Sequence, residues 1–331
     1  DPRTSLGQVY MDTGEEELAR QTLEASFALD SFDARTHNVL ELLDALDRFD
    51  RVETAHFILK FDRQSEGLVA PYMAEALEDF YADVCKAFDT TPNKKTMIEV
   101  FPDHMGFSVR VTGRPFIATV GACSGRVIAL MAPRGLAPFG RFNWVTVLRH
   151  EFTHTVTLEA TENRIPHWMT EGLAVSQEQA PRSWSTKLLL CQAVREGRLF
   201  TLKSIDWGLM RPKRPDDRHP AYMQSEWKFE YAVEKHCEKI VPGFLKAFRD
   251  ELTQAEAFEK VLGITTEEFD NRFHQWAAEQ VAAWGLPTTR LRDIEARRDL
   301  YDSFVAKLQQ VEQQSGFNIP DSRVIAAAVP P

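Results

Sequence analysis

Arg149-His150-Glu151-Phe152-Thr153-His154 is the stretch whose reading decides the fold. On a helix, His150 and His154 stand four residues apart, so both imidazoles leave one face and can grip a single ion. Glu151 lies about 100° round that helix from His150, placed to reach a water on the ion but not the ion itself. Phe142, Val145, Leu148 and Phe152 recur at spacings of three and four, the pattern of a helix with one buried stripe, and Asn143 suits its N-cap. Two imidazole nitrogens and a carboxylate suit zinc, with the fourth position left to a water whose pKa falls to about 7. A carboxylate beside such a water works as general base.

Seventeen positions after His154, Glu171 in Trp168-Met169-Thr170-Glu171-Gly172 is the natural third ligand. Pro166 closes the intervening loop and opens a second helix, with Ile165 and Trp168 available to pack. Gly172-Leu173-Ala174 is small and apolar, suited to pressing that helix against the first. Glu159, Glu162 and His167 are the competing donors. The two glutamates lie very near His154 for the chain to fold back, and His167 is read in the turn before the helix.

His150-Glu151-Phe152-Thr153-His154, taken with Pro166-His167-Trp168-Met169-Thr170-Glu171-Gly172-Leu173-Ala174, resembles the gluzincin branch of zinc peptidases. The resemblance is nearest to the peptidase-MA-like domains found beside tetratricopeptide repeats in bacterial proteins. It implies His150, His154 and Glu171 as zinc ligands and Glu151 as the catalytic base. Many aminopeptidases of that branch carry an acidic residue four positions after the third ligand to orient a ligand histidine. Here that position is Val175, so the orienting group must come from elsewhere. The resemblance also implies a Tyr or protonated His, well downstream, that steadies the oxyanion. Tyr222 in Tyr222-Met223-Gln224-Ser225 fits this, with His219 as the competing donor and Tyr231 a distant third. It further implies an edge strand before the metal helix that pairs with substrate backbone, either Val120–Ser124 or Val127–Leu130.

The 331 residues suffice for two domains or one large one, and a 44% hydrophobic, 27% charged composition is that of an ordinary globular chain. A formal charge of −10 argues against nucleic acid or an anionic membrane as the main partner. No apolar run approaches the length of a membrane span, and the compartment is not legible. Cys85, Cys123, Cys191 and Cys237 form no paired zinc motif; four free thiols are expected, with one or two disulfides as the alternative for an exported protein.

Residues 1–52 read as a helical segment with tetratricopeptide-like spacing at Leu6, Gly7, Tyr10, Gly14, Ala19 and Ala25, a structural cap or a partner-binding arm. Residues 53–140 read as a sheet lobe. Its strands are expected at His56–Phe61, Met97–Phe101, Ile117–Val120 and Arg126–Met131, with a helix over Val69–Phe88. Residues 141–287 hold the metal helix and a helical lobe, and 288–331 a charged helix (Ile294–Glu312) and a tail. The expected class is α+β and zincin-like: a small mixed sheet lobe and a helical lobe with the metal helix between them, flanked by an N-terminal helical hairpin. The expected function is zinc-dependent hydrolysis of a peptide or protein substrate. Two alternatives share the residues: a repeat-type interaction module with the zincin domain as a metal-bound scaffold, and a zinc hydrolase of a non-peptide amide.

Overall fold

Thr96-Met97-Ile98-Glu99-Val100-Phe101 is apolar at four of its six positions, on both alternating faces, which suits a strand buried on both sides. In the computed structural model, which describes residues 1–117, 119–133, 142–214, 217–237 and 240–286, it is the middle strand of a five-stranded sheet. The chain opens with helices α1 (Pro2–Thr13), α2 (Glu16–Phe27) and α3 (Ala34–Leu46), followed by strands β1 (Asp50–Glu53) and β2 (Phe57–Phe61). Next come α4 (Arg63–Glu66), α5 (Ala70–Phe88), β3 (Thr96–Phe101), α6 (His104–Thr112), β4 (Gly121–Cys123) and β5 (Val127–Met131). The remaining elements are α7 (Trp144–Thr161), α8 (His167–Gln177), α9 (Trp184–Arg195), α10 (Ile205–Met210), α11 (Arg218–His236), α12 (Ile240–Arg249), α13 (Gln254–Leu262) and α14 (Thr266–Trp284). The result is mostly helical with a small mixed sheet, as expected of the α+β class.

The sheet order is β1-β2-β3-β5-β4. β2, β3 and β5 run parallel, and β1 and β4 close the edges antiparallel. The strand expected at Ile117–Val120 is displaced: Gly121–Cys123 pairs instead, Gly121 opposite Leu130 and Cys123 opposite Ile128. The reversal is left to Ser124-Gly125, where Gly125 takes φ 93°, a conformation that favours glycine. Of the two candidate edge segments, Val127–Leu130 lies in β5 and is bonded on both sides, so β4 is the edge.

The N-terminal segment is three helices, and it shares one apolar cluster with the sheet lobe. Met11, Leu23, Val39 and Leu43 meet Phe101, Phe107, Ala129 and Met131. β1 runs across the boundary expected at residues 52 and 53. The tie is ionic as well. Glu99, in the middle of β3, is fully buried and paired with the Nε of buried Arg110 on α6. Arg110 Nη2 also donates to the Met11 carbonyl at 2.8 Å, and Gln8 Nε2 donates to the Arg110 carbonyl at 3.2 Å. Helix α6 itself was not expected; Asp103, which ends the strand, caps it by accepting from Gly106 N at 2.9 Å.

Among the later helices, α10 is a short helix before the loop, and α11 begins at Arg218. Pro220 is no obstacle there, because the first turn of a helix lacks partners for its N–H groups. Lys228 on α11 is wholly buried, lies 4.2 Å from the Phe273 ring centroid, and is 2.8 Å from Asp270 Oδ1 on α14. Burial pushes its ammonium down to about 8. No helix among the described residues is long and apolar enough to cross a membrane, and the cysteines there are free thiols. The expected C-terminal helix Ile294–Glu312 and the tail lie outside the described residues.

Arg110→Met leaves Glu99 buried without its cation and is expected to lower the unfolding free energy by roughly 3–5 kcal/mol. Urea denaturation of this variant and of Glu99→Met/Arg110→Met checks it, the double variant losing less. Equal losses in both would count against the ion pair as the tie.

Candidate metal centre

Helix α7 starts where Asn143 Oδ1 accepts from Val145 N (3.1 Å) and Thr146 N (3.4 Å), as its sequence suggests. Its expected stripe holds at Leu148 and Phe152, both wholly buried, but Val145 is exposed. Phe152 packs its ring 5.1 Å from Phe57 on β2 and 5.6 Å from Tyr81 on α5. With the back of α7 locked to the sheet and α5, His150, Glu151 and His154 are left on the side that faces the cleft.

The second helix, α8, begins at His167 directly after Pro166, so His167 belongs to its first turn and not to the loop before it. Asp206 accepts from Trp168 N at 2.7 Å and caps that terminus. Gly172 makes its close approach to α11, not to α7: a Cβ there would stand 2.7 Å from the Ser225 carbonyl oxygen. The missing side chain thus brings α11, which carries Tyr222, against the helix that carries Glu171.

These packings bring together His150, His154 and Glu171, the cluster among the described residues suited to hold a metal ion. The two Nε2 atoms are 3.1 Å apart, and Glu171 Oε2 is 3.4 Å from one and 3.5 Å from the other. Tetrahedral bonds of about 2.0–2.1 Å to one zinc would separate its donors by similar distances. Glu171 Oε2 is buried and accepts no hydrogen bond. His167 Nε2, 3.0 Å away, takes the other carboxylate oxygen, Oε1. So the donor set fits zinc, and His167 braces Glu171 from outside the cluster.

The orienting groups that the sequence left open are Glu178 and Thr170. Glu178 Oε1 lies 2.8 Å from His150 Nδ1, and Thr170 Oγ1 lies 2.8 Å from His154 Nδ1. Thr170 is in turn 2.8 Å from Thr157 Oγ1, which donates to the His154 carbonyl at 3.2 Å. That chain of hydroxyls assigns the Nδ1 proton to His154 and leaves its Nε2 lone pair aimed at the cluster. Glu178 is seven residues beyond Glu171, the same helical face as the expected position of Val175 but one turn later. That periodicity is the signal by which the sequence could have shown it.

Glu151 is buried, its Oε1 lying so close over Gly121 that a Cβ there would stand 2.7 Å from it. Burial raises its pKa, although His150 and His154 pull the other way. Burial alone would lower the pKa of His150, but Glu171, Glu178 and Glu151 outweigh that and hold it up to about 10. Tyr222 lines the same cleft, of ≈ 730 Å³, and sits in the second turn of α11; burial first, then the charges of Glu171 and Glu151, raise its pKa. His219, in the first turn, is exposed and does not line the cleft, and Tyr231 is buried among Phe269, Phe273 and Trp276. Cys123 is a cleft residue the sequence did not single out; burial pushes its thiol up to about 12, so it stays protonated.

Residues 129–279 match the family model of the Peptidase MA superfamily. The matched span starts in β5 and takes in α7, α8 and α11, the helices that carry the site, and it leaves out α1–α3 and β1–β4. This similarity supports a peptidase-MA, zincin-like domain and a metallopeptidase type of function. No curated protein matches the chain.

Glu178→Ala should weaken zinc affinity by roughly 10–100-fold, read by competition with a chelating dye. Unchanged affinity would remove Glu178 from the site. Because the metal-free His150 keeps its proton up to about pH 10, zinc binding near pH 7.5 should release a proton and tighten as pH rises. Calorimetry in two buffers of different ionisation enthalpy measures the release. Identical heats in both would contradict it.

Proposed function

We propose that this chain is a zinc-dependent peptidase of the gluzincin type, hydrolysing peptide bonds in the cleft lined by β4, α7 and α11. The observation that carries the reading is the convergence of three buried or half-buried donor atoms, with a buried carboxylate, Glu151, one residue from the first ligand. A structural metal site has no use for a base at that position, which counts against the scaffold alternative. His150, His154 and Glu171 would hold the ion. Zinc bound there supplies a Lewis acid and a water acidified to about pKa 7.

The chain's own residues do the rest. Glu151, its proton affinity raised by burial, takes the proton of the attacking water and hands it to the leaving amine. The Tyr222 hydroxyl stays protonated at working pH and donates to the oxyanion that develops on the scissile carbonyl. Tyr222 takes this role over His219 because it lines the cleft and His219 does not. Along the edge of the sheet, β4 offers backbone groups for an extended substrate to pair with, and this edge, paired with no further strand among the described residues, favours a peptide over another amide. Helices α1–α3, which share the core of the sheet, belong in this reading to the support of the catalytic domain.

Digestion of a mixed-length peptide library by the zinc-loaded protein, read by mass spectrometry, tests the proposal. Glu151→Gln should keep its zinc and lose nearly all turnover; substantial activity in that variant would sink the mechanism. Tyr222→Phe should cost about 10–1,000-fold in kcat with little change in KM.

A further inference from the structure

We propose that Arg218 forms a subsite for a peptide carboxylate beside the metal centre. The substrates are then peptides carrying an acidic side chain or a free C-terminal carboxylate close to the scissile bond, next to apolar residues. The inference rests on the peptidase reading of the same cleft.

Arg218 is the first residue of α11, and Tyr222 follows one turn later on the same face. Both line the cleft. Arg218 Nε donates to the Leu209 carbonyl at 2.9 Å, which pins the guanidinium at the cleft wall while leaving its two terminal nitrogens to other partners. Among the described residues no carboxylate lies within ion-pair distance of it. By contrast, Arg110 is paired with Glu99, Arg182 with Glu226 and Glu230, and Arg214 with Asp217.

The planar guanidinium fork matches a carboxylate, and the positive end of a 19-residue helix adds to the attraction. In a chain of net charge −10 an acidic peptide needs such a local positive spot. The remaining cleft wall includes Ile117, Leu158, Leu209 and Met210, which suits apolar neighbours of the acidic group. One helical turn separates Arg218 from Tyr222, and an extended peptide advances about 3.3–3.6 Å per residue. The carboxylate therefore belongs within about two residues of the scissile bond.

Two peptide pairs test this. One pair differs by Asp against Asn beside the cleaved bond, with amidated termini. The other differs only by a free against an amidated C-terminus. Each is measured as kcat/KM with the zinc-loaded protein and as binding, by fluorescence anisotropy, to zinc-loaded Glu151→Gln. Both measurements are repeated with Arg218→Gln and Arg218→Lys. The expected result is a roughly tenfold preference for the carboxylate in one pair, abolished by Arg218→Gln and partly kept by Arg218→Lys. The pair that shows it identifies the source of the carboxylate. No preference in either pair, or a preference that survives Arg218→Gln, overturns the subsite while cleavage itself still supports the peptidase. Binding preference without cleavage by the wild type supports the subsite and sinks the peptidase reading alone.

Discussion

Two imidazole nitrogens 3.1 Å apart, with a buried carboxylate oxygen within 3.5 Å of both, make an arrangement that a positive charge stabilises. Without an ion, the demand is met by a proton on His150, whose pKa three neighbouring carboxylates hold far above its ordinary value. A divalent cation held there would satisfy all three donors at once. Much of the surrounding structure serves this convergence. Phe152 fixes α7 to β2 and α5, Asp206 caps α8, and Gly172 admits α11 to contact with α8.

The outer layer of the site is built from residues outside the donor cluster. Glu178 and Thr170 hold the outer nitrogens of the two histidines, and His167 holds the outer oxygen of Glu171. Each of the three donor side chains thus has its second polar atom engaged, which fixes ring and carboxylate orientation. The cost of burying so many polar groups is offset by the near-complete pairing of their hydrogen bonds.

On the other side of α7, the sheet depends on a tie of a different kind. Arg110 neutralises Glu99 in the middle of the sheet and, by donating to the Met11 carbonyl, anchors α1 to it. The helices at the start of the chain are therefore part of the sheet lobe's core, whatever repeat-like spacing they carry. Small residues at helix crossings look alike in repeats and in single packed helices, so their spacing does not tell the two apart.

The sequence by itself marked the three candidate donors and the helix that carries two of them. His150, Glu151, His154 and the stripe at Leu148 and Phe152 are local features, written in spacings of three and four along one element. The positions of β2, β3, β5 and α5 were legible for the same reason. Only the tertiary structure decided which strand is the edge, which residues orient the histidines, and which polar groups face the cleft. The displacement of β4 to Gly121–Cys123 follows from pairing with β5, a contact that no local pattern announces. Glu178, Arg218 and the Glu99–Arg110 pair owe their partners to chain segments between 9 and 28 residues away. Hydrophobic periodicity reports which face of an element is buried; it carries no information on what a polar side chain meets once that face is packed.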